Sequence, residues 1–148
     1  MSQNFKYVVR ISNTDLNGKD QLFYALQKIK GIGINTAIAI CRLAGFHPYT
    51  KLGSLSDEDI KKIEYLVKNL HEKVPWWFNN YKKERFTGNN IHLIESDLIL
   101  KAREDIEFQK ALKSWKGMRH AAGLKVRGQS TRTTGRTGLT VGVTKKAQ

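Results

Sequence analysis

The segment Ile29-Lys-Gly-Ile-Gly33 decides the fold, because it interrupts a helical pattern that resumes directly after it. The stretch before it carries one apolar face at helical spacing, formed by Leu22, Ala25, Leu26 and Ile29. The stretch after it repeats that spacing with Ala37, Ile40, Cys41 and Ala44. Asn35 is the predicted N-cap of the second helix, and Gly45 is its predicted end. The pattern predicts two helices joined by a short glycine-rich loop.

The residues before these helices predict a short strand and a turn. Phe5 to Ile11 alternates loosely and places Tyr7, Val9 and Ile11 on one side. The cluster Asn13-Thr-Asp-Leu-Asn-Gly18 is rich in turn-forming residues, so we predict a turn there.

A third helix is predicted after the pair. Ser56 and Asp59 have the spacing of a capping box, with Asp in place of the usual Glu. The helix is expected to reach about His71, with an apolar stripe formed by Ile60, Ile63, Val67 and Leu70. Together these elements predict a small helical N-terminal domain over residues 1–74.

Residues 75–112 predict an aromatic and basic insertion followed by a long helix. Trp76, Trp77 and Phe78 form an aromatic cluster, for which we predict packing at a helix junction, with base stacking as the alternative. Thr87-Gly-Asn-Asn90 predicts a turn. Ser96 is the predicted N-cap of a helix that covers residues 97–113.

Residues 113–148 differ sharply in composition from the rest of the chain. They contain nine of its 26 cations and six of its 12 glycines, but no Asp or Glu. Of the net charge of +13, this segment therefore carries +9. Without sustained periodicity, it cannot bury enough apolar surface to offset its ordering entropy. We predict an extended basic tail that lies against a polyanion, as a phosphate backbone would be.

The composition also excludes several classes of protein. The single cysteine, Cys41, excludes an intrachain disulfide framework and suits a reducing cytoplasm. The four histidines are far apart and match no zinc spacing, so neither a metal site nor a cofactor is expected. No apolar run approaches the ~20 residues of a spanning helix, and no signal peptide opens the chain, so no membrane partner is expected.

Within the basic tail, the segment Lys116-Gly-Met-Arg-His-Ala-Ala-Gly-Leu-Lys-Val-Arg-Gly-Gln129 resembles the signature of the universal small-subunit ribosomal protein S-thirteen family. The matching positions are Arg119, His120, Gly123, Val126, Arg127, Gly128 and Gln129. The ending Thr140–Lys146 looks like the archaeal and eukaryotic branch of this family. The segments that look like its archaeal form are Phe5–Leu16, Ile29–Gly33 and Trp77–Ile106. The resemblance therefore covers nearly the whole chain.

The resemblance implies a mainly α fold: a small helical domain with a helix-turn-helix RNA-binding hairpin, a long C-terminal helix and an extended basic tail. It implies a structural constituent of the small-subunit head that binds small-subunit rRNA and catalyses no reaction. The implied partners are the S-nineteen family protein in the head, the L-five family protein across the subunit interface, and tRNA. The implied location is the cytoplasmic ribosome.

The RNA-binding candidates lie in the glycine-rich loop and in the tail. The loop resembles a helix-hairpin-helix motif, in which glycines expose backbone N–H groups to a phosphate. The candidates are Lys28, Lys30, Gly31, Gly33, Lys116, Arg119, His120, Lys125, Arg127, Gly128, Gln129, Arg132, Arg136, Lys145 and Lys146. The plainer alternatives are a tight turn and a solvated basic tail.

A free-standing DNA-binding or DNA-repair protein that uses the same hairpin is the alternative function. A repair enzyme needs a catalytic constellation, such as an N-terminal proline nucleophile or a carboxylate cluster that binds Mg²⁺. The chain opens with Met1-Ser-Gln3 and has no such cluster. Asp57-Glu-Asp59 is better explained as the acidic first turn of a helix.

Overall fold

The computed structural model describes residues 5–135 and is mainly helical, as expected. The elements are strands β1 (Val8–Ile11) and β2 (Thr14–Asn17) and helices α1 (Leu22–Leu26), α2 (Ile34–Ala44), α3 (Asp57–Lys68), α4 (Leu70–Lys73), α5 (Glu95–Ala111) and α6 (Trp115–Ala121). The chain divides into two compact units, Met1–Leu100 and Lys101–Gln148, so the boundary falls inside α5.

The first unit opens with a β-hairpin rather than a strand and a turn. β1 and β2 pair antiparallel, with Val9 opposite Leu16. The predicted turn is confirmed at Asn13 and Gly18 but was wrong for Thr14–Asn17, which form β2. The chain reverses at Ser12 and Asn13, and the φ of Ser12 is 55°. Leu16 is buried on the same sheet face as Val9 and Ile11, and this burial outweighs the low strand propensity of the Asp and Asn residues beside it.

All eight residues of the two predicted apolar faces are buried, although Ile29 lies beyond the end of α1. Two boundaries differ from the prediction. α1 ends at Leu26, and the chain then continues in turns to Gly31. Gly33, not Asn35, is the N-cap of α2, and no side chain caps it. The predicted end of α2 is confirmed, since Gly45 adopts the left-handed conformation at φ 83°.

The capping box of α3 is confirmed. The Ser56 hydroxyl accepts a hydrogen bond from the Asp59 backbone N–H at 3.2 Å, and the Asp59 carboxylate accepts from the Ser56 N–H. α3 ends at Lys68, and the short α4 follows it. These helices and the hairpin enclose one core, whose largest fully buried side chains include Ile11, Leu16, Leu22, Leu26, Ile29, Ile40, Leu52, Ile63 and Leu70.

The aromatic cluster that follows α4 forms a 3-10 turn over Trp76–Phe78. The prediction that it packs at a helix junction was wrong for Trp76 and Trp77, which are 65% and 59% exposed. The chain then forms a loop closed by a bridge between Tyr81 and Ile91. The predicted turn inside this loop is confirmed by Gly88, whose φ is 72°.

Helix α5 begins at Glu95, so Ser96 lies inside the helix and is not its N-cap. None of the residues of α5 is buried. The sequence analysis did not predict α6, the short helix that follows within the basic segment.

Candidate RNA interface

The glycine-rich loop between α1 and α2 is held by the segment that leads into α5. The His92 Nε2–H donates to the Gly31 carbonyl oxygen at 3.2 Å, and the Glu95 N–H donates to the Lys30 carbonyl oxygen at 2.8 Å. Gly31 has φ 97°, and a Cβ atom there would lie 2.5 Å from the Leu93 carbonyl oxygen. Glycine is therefore required at position 31 by packing inside this unit.

His92 supports this loop as a neutral side chain. Burial lowers the pKa of its imidazole. Electrostatic interaction with His71 lowers this pKa as well. The hydrogen bond to Gly31 opposes this shift in the pKa but does not reverse it. The Nδ1 atom is buried without a hydrogen-bond partner among the described residues. His92 is therefore a structural residue that fixes the loop.

Gly33, in contrast, faces open space. A Cβ atom at this position would meet no heavy atom within 4 Å. Gly33 begins the 11-residue helix α2 in an extended conformation, without a side-chain cap. The first N–H groups of a helix have no partner within the helix, and its N-terminal end carries partial positive charge. This end of α2 can therefore receive an anion such as a phosphate.

The two lysines of the loop are not equivalent. The Lys28 ammonium lies 2.5 Å from the Asp20 carboxylate and 5.8 Å from the centre of the Tyr24 ring. Lys30 is exposed, and no ion pair of its ammonium group occurs among residues 5–135. Lys30 is thus the cation that the loop presents to a partner, whereas Lys28 first has to leave Asp20.

The second unit places α6 against the end of α5 through a close backbone approach. The Ser114 hydroxyl accepts from the Gly117 N–H at 3.1 Å and lies 3.1 Å from the Gln109 carbonyl oxygen. Gly117 is buried, and a Cβ atom on it would overlap that same carbonyl oxygen. The first glycine of the family signature therefore permits the helix-helix turn.

Three residues of the quoted segment Lys116–Gln129 shape the chain that follows α6. The Arg119 Nε–H donates to the Lys125 carbonyl oxygen at 2.9 Å, and the Leu124 N–H donates to the Arg119 carbonyl oxygen at 2.9 Å. Gly123 and Gly128 have φ values of 68° and 72°, which favour glycine. Arg119 is therefore committed in part to holding this turn.

The remaining candidates of the second unit differ in exposure. His120 and Lys125 are half-buried, and the Lys125 ammonium donates to the Thr134 hydroxyl at 3.0 Å. The exposed side chains that offer donors are Lys116, Arg127, Gln129 and Arg132. Arg136, Lys145 and Lys146 lie outside the described residues. The described candidates thus belong to two groups, one in each unit.

Sequence reasoning missed two features of these groups. It treated residues 113–148 as aperiodic and so missed α6. Ser114 is a typical N-cap residue, and Gly123 is a typical residue just after the end of a short helix. It also treated Lys28 as available, because no local spacing signals its contact with Asp20 eight residues earlier. The first feature could have been found from capping residues, whereas the second depends on the tertiary fold.

Other kinds of site are poorly supported in the part of the chain that the structure describes. Residues 5–135 contain no cluster of His, Cys, Asp or Glu side chains that could hold a metal ion. Cys41 lies in the core, and burial raises the pKa of its thiol to about 11. Over the same residues, no helix has both the length and the apolar character needed to cross a membrane.

Comparison with known proteins identifies the family of this chain. The family model described as ribosomal protein S13/S18 matches residues 10–137. The protein is 55% identical to small ribosomal subunit protein uS13 of Pyrobaculum islandicum over 146 residues, which cover 99% of this chain and 95% of the relative. The corresponding protein of Staphylothermus marinus is 51% identical, with 98% of this chain and 97% of the relative covered. The protein of Saccharolobus solfataricus is 52% identical, with 99% and 89% covered. The chain therefore belongs to the ribosomal protein S13/S18 family.

Proposed function

We propose that this protein is a structural component of the small ribosomal subunit and binds small-subunit rRNA in the cytoplasmic ribosome. The observation that carries the proposal is the similarity to small ribosomal subunit protein uS13 along 99% of the chain. The net charge of +13 supports an RNA partner, because cations that neutralise phosphates supply most of the sequence-independent affinity. No reaction is part of this role.

The proposed RNA contacts form two groups with different chemistry. In the first unit, a phosphate lies at the N-terminal end of α2 beside Gly33, and Lys30 supplies a nearby cation. In the second unit, Lys116, Arg127, Gln129 and Arg132 offer exposed donors to phosphates and base edges. Lys28, Gly31, Arg119 and Gly128 serve mainly to position these groups. The same proposal includes His120, Lys125, Arg136, Lys145 and Lys146.

We further propose that the protein lies in the head of the small subunit, beside the S-nineteen family protein. The proposal adds a contact to the L-five family protein across the subunit interface and a contact of the tail to tRNA. The resemblance of the sequence to the family supports these contacts. In this proposal residues 1–74 anchor the protein on the rRNA, and residues 113–148 extend along the RNA. Residues 75–112 connect these two segments.

Co-sedimentation tests the proposed function. The tagged full-length chain, expressed in an archaeal cell, is expected to sediment with the small subunit in a sucrose gradient at moderate salt. A DNA-binding protein would instead partition with the nucleoid, and its binding would be lost after DNase treatment. Sedimentation with DNA, or with neither fraction, would contradict the ribosomal role.

Substitution of Gly33 tests the proposed phosphate site. Asp is a favourable N-cap, so Gly33→Asp is expected to keep or raise the stability of α2 while its charge repels a phosphate. Gly33→Asn is the matched neutral control, with the same shape and a similar capping ability. A lost charge-assisted hydrogen bond corresponds to about 1.5–3 kcal/mol, so the Asp variant is expected to bind an rRNA fragment about tenfold or more weakly than the Asn variant. Equal affinities of the two folded variants would leave the loop as a turn only.

A further inference from the structure

An apolar groove of about 520 Å³ lies between α2 and residues 73–78 of the first unit. Its apolar lining includes Ile38 and Leu43 from α2, and Trp77 from the 3-10 turn. The charged residues that line it are Arg42 and Lys73, and no acidic residue lines it. The groove therefore joins an aromatic surface to positive charge, and none of the RNA-binding candidates within residues 5–135 lines it.

Two tryptophans expose their rings at this place. Trp76 and Trp77 are 65% and 59% exposed, and the Lys82 ammonium lies 5.9 Å from the centre of the Trp76 ring. Among the aromatic pairs of the described residues, the ring of Trp77 pairs with Phe78 alone. This pair is edge-on, with a centroid distance of 5.9 Å. Adjacent exposed tryptophans beside an open apolar groove are typical of a binding surface.

We propose that this groove, together with Trp76 and Trp77, stacks unpaired nucleobases of an RNA strand. The inference rests on the proposed function, in which the partner is rRNA, and adds a second recognition mode to that function. Proteins read single-stranded RNA by stacking its bases on aromatic side chains while cations meet the backbone. Here the rings of Trp76 and Trp77 provide the stacking surface, and Arg42, Lys73 and Lys82 provide the charge.

The groove also lies next to the proposed phosphate site. Asn35, in the first turn of α2, lines the groove, and Gly33 begins the same helix. An RNA strand with one phosphate at the N-terminal end of α2 thus has the groove directly beside it. A nucleotide next to this phosphate can then turn its base away from the strand and into the groove.

Charge complementarity favours RNA over a protein as the occupant. Lysine is depleted at protein–protein interfaces, yet Lys73 lines the groove and Lys82 lies over Trp76. A polyanion satisfies these lysines and Arg42 at once, whereas a protein segment would need acidic residues placed against each of them. Protein docking is therefore the outcome that the experiment must separate from stacking.

Two substitutions of Trp77 separate base stacking from general apolar contact. Trp77→Phe keeps an aromatic face, whereas Trp77→Leu keeps apolar bulk but removes the π surface. The probe is a small-subunit head rRNA fragment that contains unpaired nucleotides. Stacking predicts the affinity order Trp, then Phe, then Leu, with a loss of about tenfold to hundredfold for Leu. Leu binding as tightly as Phe and the parent would overturn the inference.

The matched control for this comparison is Tyr65→Leu on α3. Tyr65 is 59% exposed, the same fraction as Trp77, and it does not line the groove. Its substitution is expected to leave the affinity for the fragment within about twofold of the parent. Circular dichroism at matched concentrations shows whether each variant keeps its helices. A loss for Tyr65→Leu as large as for Trp77→Leu would also overturn the inference.

Tryptophan fluorescence distinguishes the failure of this inference from the failure of the proposed function. In the Trp115→Phe variant, the remaining tryptophans are Trp76 and Trp77. Stacking predicts that the rRNA fragment quenches their emission.

If the fragment binds tightly without quenching, the proposed function stands and the stacking inference is wrong. If emission changes only when the other subunit proteins are added, a protein covers the groove and the inference is again wrong. If the fragment does not bind at all, the proposed function and this inference fail together.

Discussion

The two compact units of this protein differ in what holds them together. In the first unit, every buried apolar side chain of the described residues lies between Val9 and Leu70. In the second unit, apolar side chains such as Leu112, Trp115 and Met118 remain exposed. Burial of apolar surface is the main favourable contribution to folding, so among the described residues the source of stability is concentrated in the first unit. The described part of the second unit contains caps and turns, and we expect a partner to stabilise it further.

Charge is also distributed unevenly along the chain, with a division near residue 113, inside the second unit. Residues 1–112 carry 17 cations and 13 acids, whereas residues 113–148 carry nine cations and no acid. Like charges repel one another when the segment is free, and counterion release stabilises it when it lies on RNA. A polyanion that binds only the ordered form of this segment is therefore expected to stabilise that form. Four sets of variants test this contrast, from the largest expected effect to the smallest.

Deletion of residues 113–148 should have the largest effect, and it acts on RNA affinity. The deleted segment carries +9, against +4 for the longer remainder. Each neutralised phosphate contributes a slope of about −0.7 to −0.9 in log K against log salt. If roughly half of these cations meet phosphates, the slope should flatten by about 3 to 4 units. The measurement is a salt titration of binding to a head rRNA fragment for both proteins.

The truncated protein also tests whether the first unit is independent. Its helices should unfold cooperatively in urea at nearly the same midpoint as the full-length chain, since the buried core ends at Leu70. Its residual binding should depend on Lys30 and on the N-terminal end of α2. Parallel salt titrations for the two proteins would mean that the electrostatic contact lies in the first unit.

A matched pair of Leu→Ala substitutions should show the next largest effect. Leu26 is fully buried in the first unit, whereas Leu112 is 59% exposed in the second. Leu26→Ala should lower the free energy of unfolding by about 2–5 kcal/mol, because it leaves a cavity as well as removing buried surface. Leu112→Ala should change this free energy by less than about 0.5 kcal/mol. Urea denaturation followed by circular dichroism measures both, and similar losses would show that the second unit has a core of its own.

The first unit was largely predictable from sequence because its helices follow simple rules. The apolar faces of α1 and α2 and the capping box of α3 are local patterns, and the structure confirms them. The second strand was missed because Thr14–Asn17 contains residues typical of turns, and only the burial of Leu16 reveals the strand. Long-range pairing of this kind leaves little trace in a single segment.

The candidate site was only partly predictable, for a related reason. The composition of the tail and its resemblance to a known family pointed to RNA, and the family assignment is confirmed. The sequence could not predict that Gly31 is required by packing whereas Gly33 faces open space. This difference depends on Leu93, which lies 60 residues or more from both glycines in sequence. The exposure of Trp76 and Trp77 was predicted wrongly, since an aromatic cluster in the sequence is more often packed than open.

A matched pair of N-cap substitutions should show a smaller effect. Ser56 and Ser114 each accept a backbone N–H hydrogen bond at the start of a helix, at 3.2 Å and 3.1 Å. Ser56→Ala should lower the free energy of global unfolding by about 1 kcal/mol, because α3 is part of the buried core. Ser114→Ala should leave this free energy unchanged and only speed amide hydrogen exchange in α6. Equal losses in global stability would show that the two units unfold together.

The smallest effect should appear in the dependence of stability on pH. The pKa of His92 is lowered from 6.5 in the folded protein, mainly by burial, so the folded state binds fewer protons than the unfolded state as the pH falls below that value. Stability that is present above pH 6.5 should therefore be lost progressively as the pH falls through 6.5 and towards the lowered pKa. Protonation also places a charge on a ring whose Nδ1 atom is buried without a partner among the described residues.

The substitution His92→Gln tests this origin of the pH dependence. Its side-chain amide stays neutral and can still donate to the Gly31 carbonyl oxygen, so the variant should lose less stability than the parent between pH 7 and pH 5. His120→Gln is the matched control, because α6 lies outside the buried core and the variant should follow the parent. Urea denaturation across this pH range measures the difference. Parallel curves for the parent and His92→Gln would show that other groups cause the loss, whereas a flatter curve for His120→Gln would tie the second unit to the folding of the first.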